Sequence, residues 1–172
     1  MQQDDVTLAP DTLERLHRVS TATITTQLLK NHGLRTREIE LTSYAEIVLA
    51  TPAADLAHPA FGKLFIETEY VAASTALLCQ RRARGPREPA MWAFHALSQE
   101  GRSQGPVEWE TDRTRFLGRG RGLERPQALD GRALSGTTGC GLDPIVSLRQ
   151  RIRLPPGGAA RLCFATGIAA DR

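Results

Sequence analysis

The densest group of side chains suited to chemistry lies in residues 109–121, WETDRTRFLGRGR. Arginine forks beside a planar ring such as Phe116 or Trp109 suit sugar hydroxyls and phosphate oxygens. Gly118, Gly120 and Gly122 superficially resemble a phosphate-cradling loop, but no helix start follows them and Pro126 comes soon after, so a nucleotide site finds little support. Trp109, flanked by Glu108 and Glu110, is expected to expose its ring, whereas Trp92 lies within an apolar run and reads as core. Glu38, Glu40 and Glu46 share one strand face, and Glu67 and Glu69 share another. Paired carboxylates are what glycosidases use as acid and base, yet alternating Glu on a strand is more simply its solvated face. Cys79, Cys140 and Cys163 are widely spaced with no CxxC pair, so they read as buried free thiols rather than as a metal site or disulfide framework.

Strands must position these groups. Over residues 39–49 the odd positions are Ile39, Leu41, Ser43, Ala45, Ile47 and Leu49, while Glu38, Glu40, Thr42 and Glu46 fill most even ones. This period of two predicts a strand with one apolar and one acidic face, suited to an antiparallel sheet packed on one side. Residues 51–60, rich in Ala and Pro, read as a loop, and residues 63–71 as the next strand. Thr and Ile enrichment makes Thr21–Lys30 a strand, predicted to form a hairpin with residues 35–50 through Asn31, His32 and Gly33. Ahead of it, Leu13, Leu16 and Val19 have helical spacing behind an Asp11 or Thr12 cap, although the segment reads equally as an extended lead-in. Further strands are predicted over 76–82, 90–98, 107–111, 145–154 and 160–168. In 145–154, Val146, Leu148, Gln150, Ile152 and Leu154 take one side and Arg149, Arg151 and Arg153 the other. About eight strands with almost no helix make an all-β antiparallel sandwich, with residues 1–20 as a lead-in and 21–172 as the sandwich.

A chain of 172 residues is one domain on length, and 41% hydrophobic with 24% charged residues is an ordinary globular composition. No apolar run is long enough to span a bilayer, and the N-terminus has no apolar stretch of a secretory signal, so a soluble, cytoplasmic chain is expected. The net charge is +3, and of 22 basic residues only Lys30 and Lys63 are lysines. A modest, dispersed, arginine-biased charge does not make the concentrated stripe that nucleic acid requires. No cofactor is implied.

The wording LTSYAEIVLATPAADLAHPAFGKLFIETEYV at 41–71 resembles the sandwich domain of the cyclic β-1,2-glucan synthases, as do WETDRTRFLGRGR, LSGTTGCGLDPIVSLRQRIRLPPG at 134–157 and FATGIA at 164–169. Their phosphorylase-like region is similar to cellobiose and chitobiose phosphorylases of glycoside hydrolase family 94. The resemblance covers residues 35–169 and implies a supersandwich of the galactose-mutarotase-like kind, a part of a larger enzyme. Its partners would be an (α/α) barrel catalytic domain and a β-glucan oligosaccharide. Full-length members are bacterial inner-membrane proteins, though no membrane contact is implied for this chain itself. The resemblance also implies strands ahead of this region, so one sheet edge here would lack its partner, an aggregation liability if exposed; a homodimer is a further candidate partner.

Asp112, Arg113, Phe116, Gly118 and Arg119 match the phosphorylase motif whose loop approaches the barrel. Asp112, Arg113, Phe116 and Arg119, with the flanking Trp109 and Arg121, are the candidate substrate-binding residues. The loop reads equally as subsite wall or as scaffold pinned by an Asp112–Arg113 pair. No residue here is expected to be catalytic, because by resemblance the acid is an Asp of the barrel and phosphate is the nucleophile. In aldose mutarotases, whose sandwich this one resembles, a His and a Glu act as acid and base. Here His58 precedes Pro59 in a loop, and His95 sits in an apolar strand as a hydrogen-bonded core histidine would. A free-standing carbohydrate-binding or scaffold protein is the alternative, and a basic nucleic-acid binder a third reading.

Overall fold

A computed structural model describes residues 21–83, 85, 90–169 and 172. The lead-in, its expected helix and most of the connection at 84–89 lie outside the described residues. The strands are β1 (Thr21–Lys30), β2 (Arg37–Thr42), β3 (Ala45–Glu46), β4 (Ile66–Val71), β5 (Ala76–Arg81), β6 (Met91–Glu100), β7 (Glu108–Asp112), β8 (Gly139–Cys140), β9 (Pro144–Leu154) and β10 (Ala159–Ala169). All pair antiparallel, in a six-stranded sheet ordered β1-β10-β6-β5-β4-β8 and a smaller one ordered β2-β9-β3, with β7 also on β9. The expected all-β sandwich is what forms.

Alternation in β9 works as its spacing predicts. Val146, Leu148, Ile152 and Leu154 are buried in one cluster with Ile66, Leu77, Cys79, Ala93, Leu97 and Leu162 of the larger sheet. Each Leu or Ile so buried contributes roughly 1.5–3 kcal/mol of transfer free energy. β2 and β3 lie along β9 one after the other, interrupted at Ser43. There the Ser43 N–H donates to the Leu148 carbonyl (2.9 Å) and the Leu148 N–H to Ser43 Oγ (2.9 Å). The hydroxyl thus takes the place of a ladder carbonyl and lets the strand step over its irregularity.

Three expectations need correction. First, β1 and β2 are not a hairpin: β1 pairs with β10 and β2 with β9, in different sheets. Asn31 turns the chain, but as a corner between layers. Its Nδ2 lies 2.9 Å from the carbonyls of Arg35 and Leu154 and 3.0 Å from that of Pro155, while its own N–H donates to Gly158. The residue tolerates a tight turn, and its amide then ties the corner to the end of β9 rather than to the next strand. Second, the 51–60 loop contains two short helices, α1 (Pro52–Ala57) and α2 (Pro59–Lys63). Thr51 Oγ1 accepts the Ala54 N–H at 3.3 Å, and each helix begins at a proline whose fixed φ suits that position. α2 extends to Lys63, so the following strand starts only at Ile66. Third, Cys79 is buried but Cys140, on the two-residue β8, is exposed.

Candidate functional site

Residues 109–121 come together as structure rather than as an open sugar platform. The Trp109 ring is half-buried and stacks on Tyr70 with centroids 3.8 Å apart and planes 9° apart, so it is not the exposed ring expected from its flanking glutamates. Its Nε1 is buried without a hydrogen-bond partner among the described residues. Asp112 does not pair with Arg113. Instead it caps α3 (Arg113–Leu117), accepting the N–H groups of Thr114 at 2.8 Å and Arg115 at 3.1 Å. Gly118 ends the helix at φ +84°, where a Cβ would lie 2.7 Å from Gln127, so glycine is required there. Phe116 is 3% exposed and packs with Leu117, Ala128 and Ile145 against Tyr44. Arg121 Nη1 reaches Asp130 at 2.6 Å, and Arg119 is exposed.

Arg113 belongs to a charged cluster at the joint of β3, α2 and β9. Its Nε donates to Glu46 Oε1 at 3.0 Å and its Nη1 lies 3.6 Å from Asp143. Lys63 Nζ donates to Asp143 at 2.7 Å and lies 3.7 Å from Glu46, to which the Tyr44 hydroxyl also donates at 3.0 Å. The Tyr44 hydroxyl, followed by Arg113 and Lys63, holds the Glu46 carboxyl below its ordinary range. Glu46 is therefore an ionised anchor and not the raised acid that glycosidic protonation needs.

Arg149, which alternation places with Arg151 and Arg153 on the side of β9 opposite Leu148 and Ile152, is 0% exposed. The 113–135 segment folds back over it. Its Nη2 donates to the Ala128 carbonyl (2.5 Å), its Nη1 to the Arg132 carbonyl (2.7 Å), and its Nε to Thr42 Oγ1 (2.9 Å). Glu40 at 3.1 Å and Glu108 at 3.4 Å balance its charge. Only a planar cation with five donors can serve that many acceptors from one buried position. Glu110, 2% exposed, is a second buried charged group held by separate partners, taking the N–H groups of Thr111 (3.0 Å) and Asp112 (3.1 Å) and the Thr137 hydroxyl (3.2 Å). Spacing placed neither residue in the interior.

The concave feature that sequence reasoning missed is a cleft of about 740 Å³ between the sheets, where β1 and β2 end their respective orders. One wall presents Thr23, Thr25 and Gln27 of β1 with Phe164 and Thr166 of β10; the other presents Glu40, Thr42, Ser43 and Tyr44 beside the aliphatic Leu41, Ala45 and Leu129. At its floor His95 is 3% exposed and joins the walls, with Nε2 2.7 Å from Ser43 Oγ and Nδ1 2.7 Å from Thr166 Oγ1. Every group is satisfied if Ser43 donates to the Leu148 carbonyl (3.2 Å), Nε2–H donates to Ser43, and the Thr166 hydroxyl donates to Nδ1. Burial pushes the His95 pKa down to about 4, so the ring is neutral. His95 is thus the hydrogen-bonded core histidine that its apolar strand predicted. The polar residues at positions 23, 25 and 27 were the available signal, but Thr and Ile enrichment there identifies a strand without saying what either face meets. Among the described residues no group of three or more His, Cys, Asp or Glu could hold a metal ion.

Two packed antiparallel sheets with this loop and cleft define a sandwich domain, and residues 18–172 match the family described as glycosyl hydrolase 94, supersandwich domain, to which the chain belongs. The chain is 44% identical over 146 residues to the cyclic beta-(1,2)-glucan synthase NdvB of Rhizobium meliloti (strain 1021). That alignment takes in 84% of this chain but only 5% of the relative's length. Among the described residues no helix is long and apolar enough to cross a membrane.

Proposed function

We propose that residues 21–172 form the non-catalytic sandwich domain of a cyclic β-1,2-glucan synthase, which packs on the (α/α) barrel phosphorylase domain of that enzyme and helps to hold the β-glucan chain. The observation that carries this reading is the 44% identity to the glucan synthase over 84% of the chain. The loop geometry divides the six candidate residues: Trp109, Asp112, Arg113 and Phe116 set its shape, while Arg119 and Arg121 remain on its exposed side. The acid, the phosphate site and the donor-sugar site belong to other domains on this reading, and the domain works on the cytoplasmic side of an inner-membrane protein.

Titrating the purified chain with linear β-1,2-glucan, followed by heteronuclear NMR with cellobiose and an unrelated polysaccharide as controls, tests the sugar contact. Selective, saturable shifts are expected, with no phosphorolysis of the glucan. A folded spectrum that ignores every sugar would remove glucan binding from the proposal and leave a scaffold. Turnover of glucan by this chain would overturn the non-catalytic assignment.

A further inference from the structure

We infer that the cleft between β1 and β2 is a binding site for a short, uncharged oligosaccharide, and that sugar contacts this domain there rather than on the 109–121 loop. The inference rests on the glucan reading above and names the surface that would serve it. Its first support is an inverted strand. In the observed register Gln27 lies opposite Leu162, Thr25 opposite Phe164 and Thr23 opposite Thr166. Positions 23, 25, 27 and 29 therefore share the face on which Leu162 and Ala160 join the core. Leu29 packs on that core, but the next three are Gln27, Thr25 and Thr23, while Ile24 and Leu28 on the opposite face are 58% and 56% exposed. A slip of one residue would reverse the two faces. The register instead turns two hydroxyls and an amide into the cleft.

The lining then selects the ligand. Among the described residues no Lys or Arg lines the cleft. The lone carboxylate, Glu40, is already engaged by Arg149 and by Arg151 at 2.7 Å. Nothing there would compensate a phosphate, which argues for a neutral partner. Hydroxyls of Thr23, Thr25 and Thr42 with the Gln27 amide offer both donors and acceptors, as vicinal hydroxyls require. Phe164, half-buried and lying parallel to His95 at 5.9 Å, supplies an aromatic surface beside them. The His95 bridge to Ser43 and Thr166 fixes the floor before any ligand arrives, which lowers the ordering cost of binding. A volume of about 740 Å³ falls within the roughly 300–1,000 Å³ of ligand clefts.

The test is a titration of the whole chain with a linear β-1,2-glucan oligosaccharide, recording amide and threonine-methyl NMR spectra. The double variant Thr25→Val with Gln27→Leu and the single variant Arg119→Ala are titrated beside it. Expected are saturable shifts at Thr23, Thr25, Thr42 and Thr166, a Kd raised at least about tenfold in the double variant, and no change in Arg119→Ala. The phosphorylated oligosaccharide should bind no tighter than the neutral one. Both altered β1 side chains lie at the surface of an edge strand, and the unliganded spectrum verifies folding. Shifts confined to 109–121 and abolished by Arg119→Ala would overturn the cleft site while leaving the glucan reading intact. Absence of shifts with any sugar would remove both. A stable dimer whose interface shields the β1 amides would also overturn the proposal, since a second chain would then occupy the cleft.

Discussion

Acidification should weaken this fold through His95. The imidazole is 3% exposed, joins the two sheets through Ser43 and Thr166, and has its pKa lowered by burial from 6.5 to about 4. In the unfolded chain it titrates at its ordinary value. Between about pH 6.5 and 4 the unfolded state therefore binds a proton that the folded state refuses, so stability falls as the pH falls. The contribution is whole above pH 6.5 and lost on the way down to about 4. At about 1.4 kcal/mol per pKa unit the loss comes to roughly 3 kcal/mol, a large share of a typical domain stability of ~5–15 kcal/mol. Urea unfolding at about pH 7.5, 5.5 and 4.5, compared with His95→Gln, isolates the effect, because carboxylates such as Glu46 titrate in both proteins. Wild type should lose roughly 2.5 kcal/mol more than the variant between about pH 7.5 and 4.5, the remainder going below the folded pKa. Parallel pH dependences, or an NMR titration placing the folded His95 near 6.5, would refute the reasoning.

Replacing Arg149 with Met should cost roughly 3–5 kcal/mol, because Glu40, Glu108 and the carbonyls of Ala128 and Arg132 lose their buried cation. Hydrogen exchange should show residues 126–135 opening in that variant, and unchanged protection there would contradict the pinning role. Asp112→Ala removes the α3 cap and should cost about 1 kcal/mol by urea unfolding, whereas Asp112→Asn should retain most of it. Alkylation of the native protein should modify the exposed Cys140 and spare the buried Cys79, whose thiol is pushed up to about 12 by burial. Peptide mass spectrometry reads the difference, and fast labelling of Cys79 would mean that the sandwich opens.

Much of this architecture was legible in local pattern. Alternation in β9 identified Val146, Leu148, Ile152 and Leu154 as its core side, because side chains in a strand reverse every residue and one face meets the other sheet. The apolar run of β6 likewise placed His95 inside. The Asn31 turn was legible as a turn, but a turn does not specify which strand the chain meets next. Alternation put Arg149, Arg151 and Arg153 together on the other face of β9, and that polar pattern carries no sign of burial. Arg149 is buried only because a segment more than ten residues upstream folds over it. The two helices of 51–60 had a signal in Thr51 followed by Pro52, obscured by the small residues around them.

The sequence by itself determined the strand-rich class, the faces of β9, and membership of a supersandwich family. Those properties follow from spacing between neighbours and from word-for-word similarity, both of which are local. Tertiary structure alone decided that β1 and β2 join different sheets, that Trp109 stacks on Tyr70, and that Thr23, Thr25 and Gln27 face a cleft instead of bulk water. The physical reason is separation along the chain: Thr42 meets Arg149 across 107 residues and Ser43 meets His95 across 52. Which distant surface covers a polar face is settled by packing, and no two-residue period carries that information.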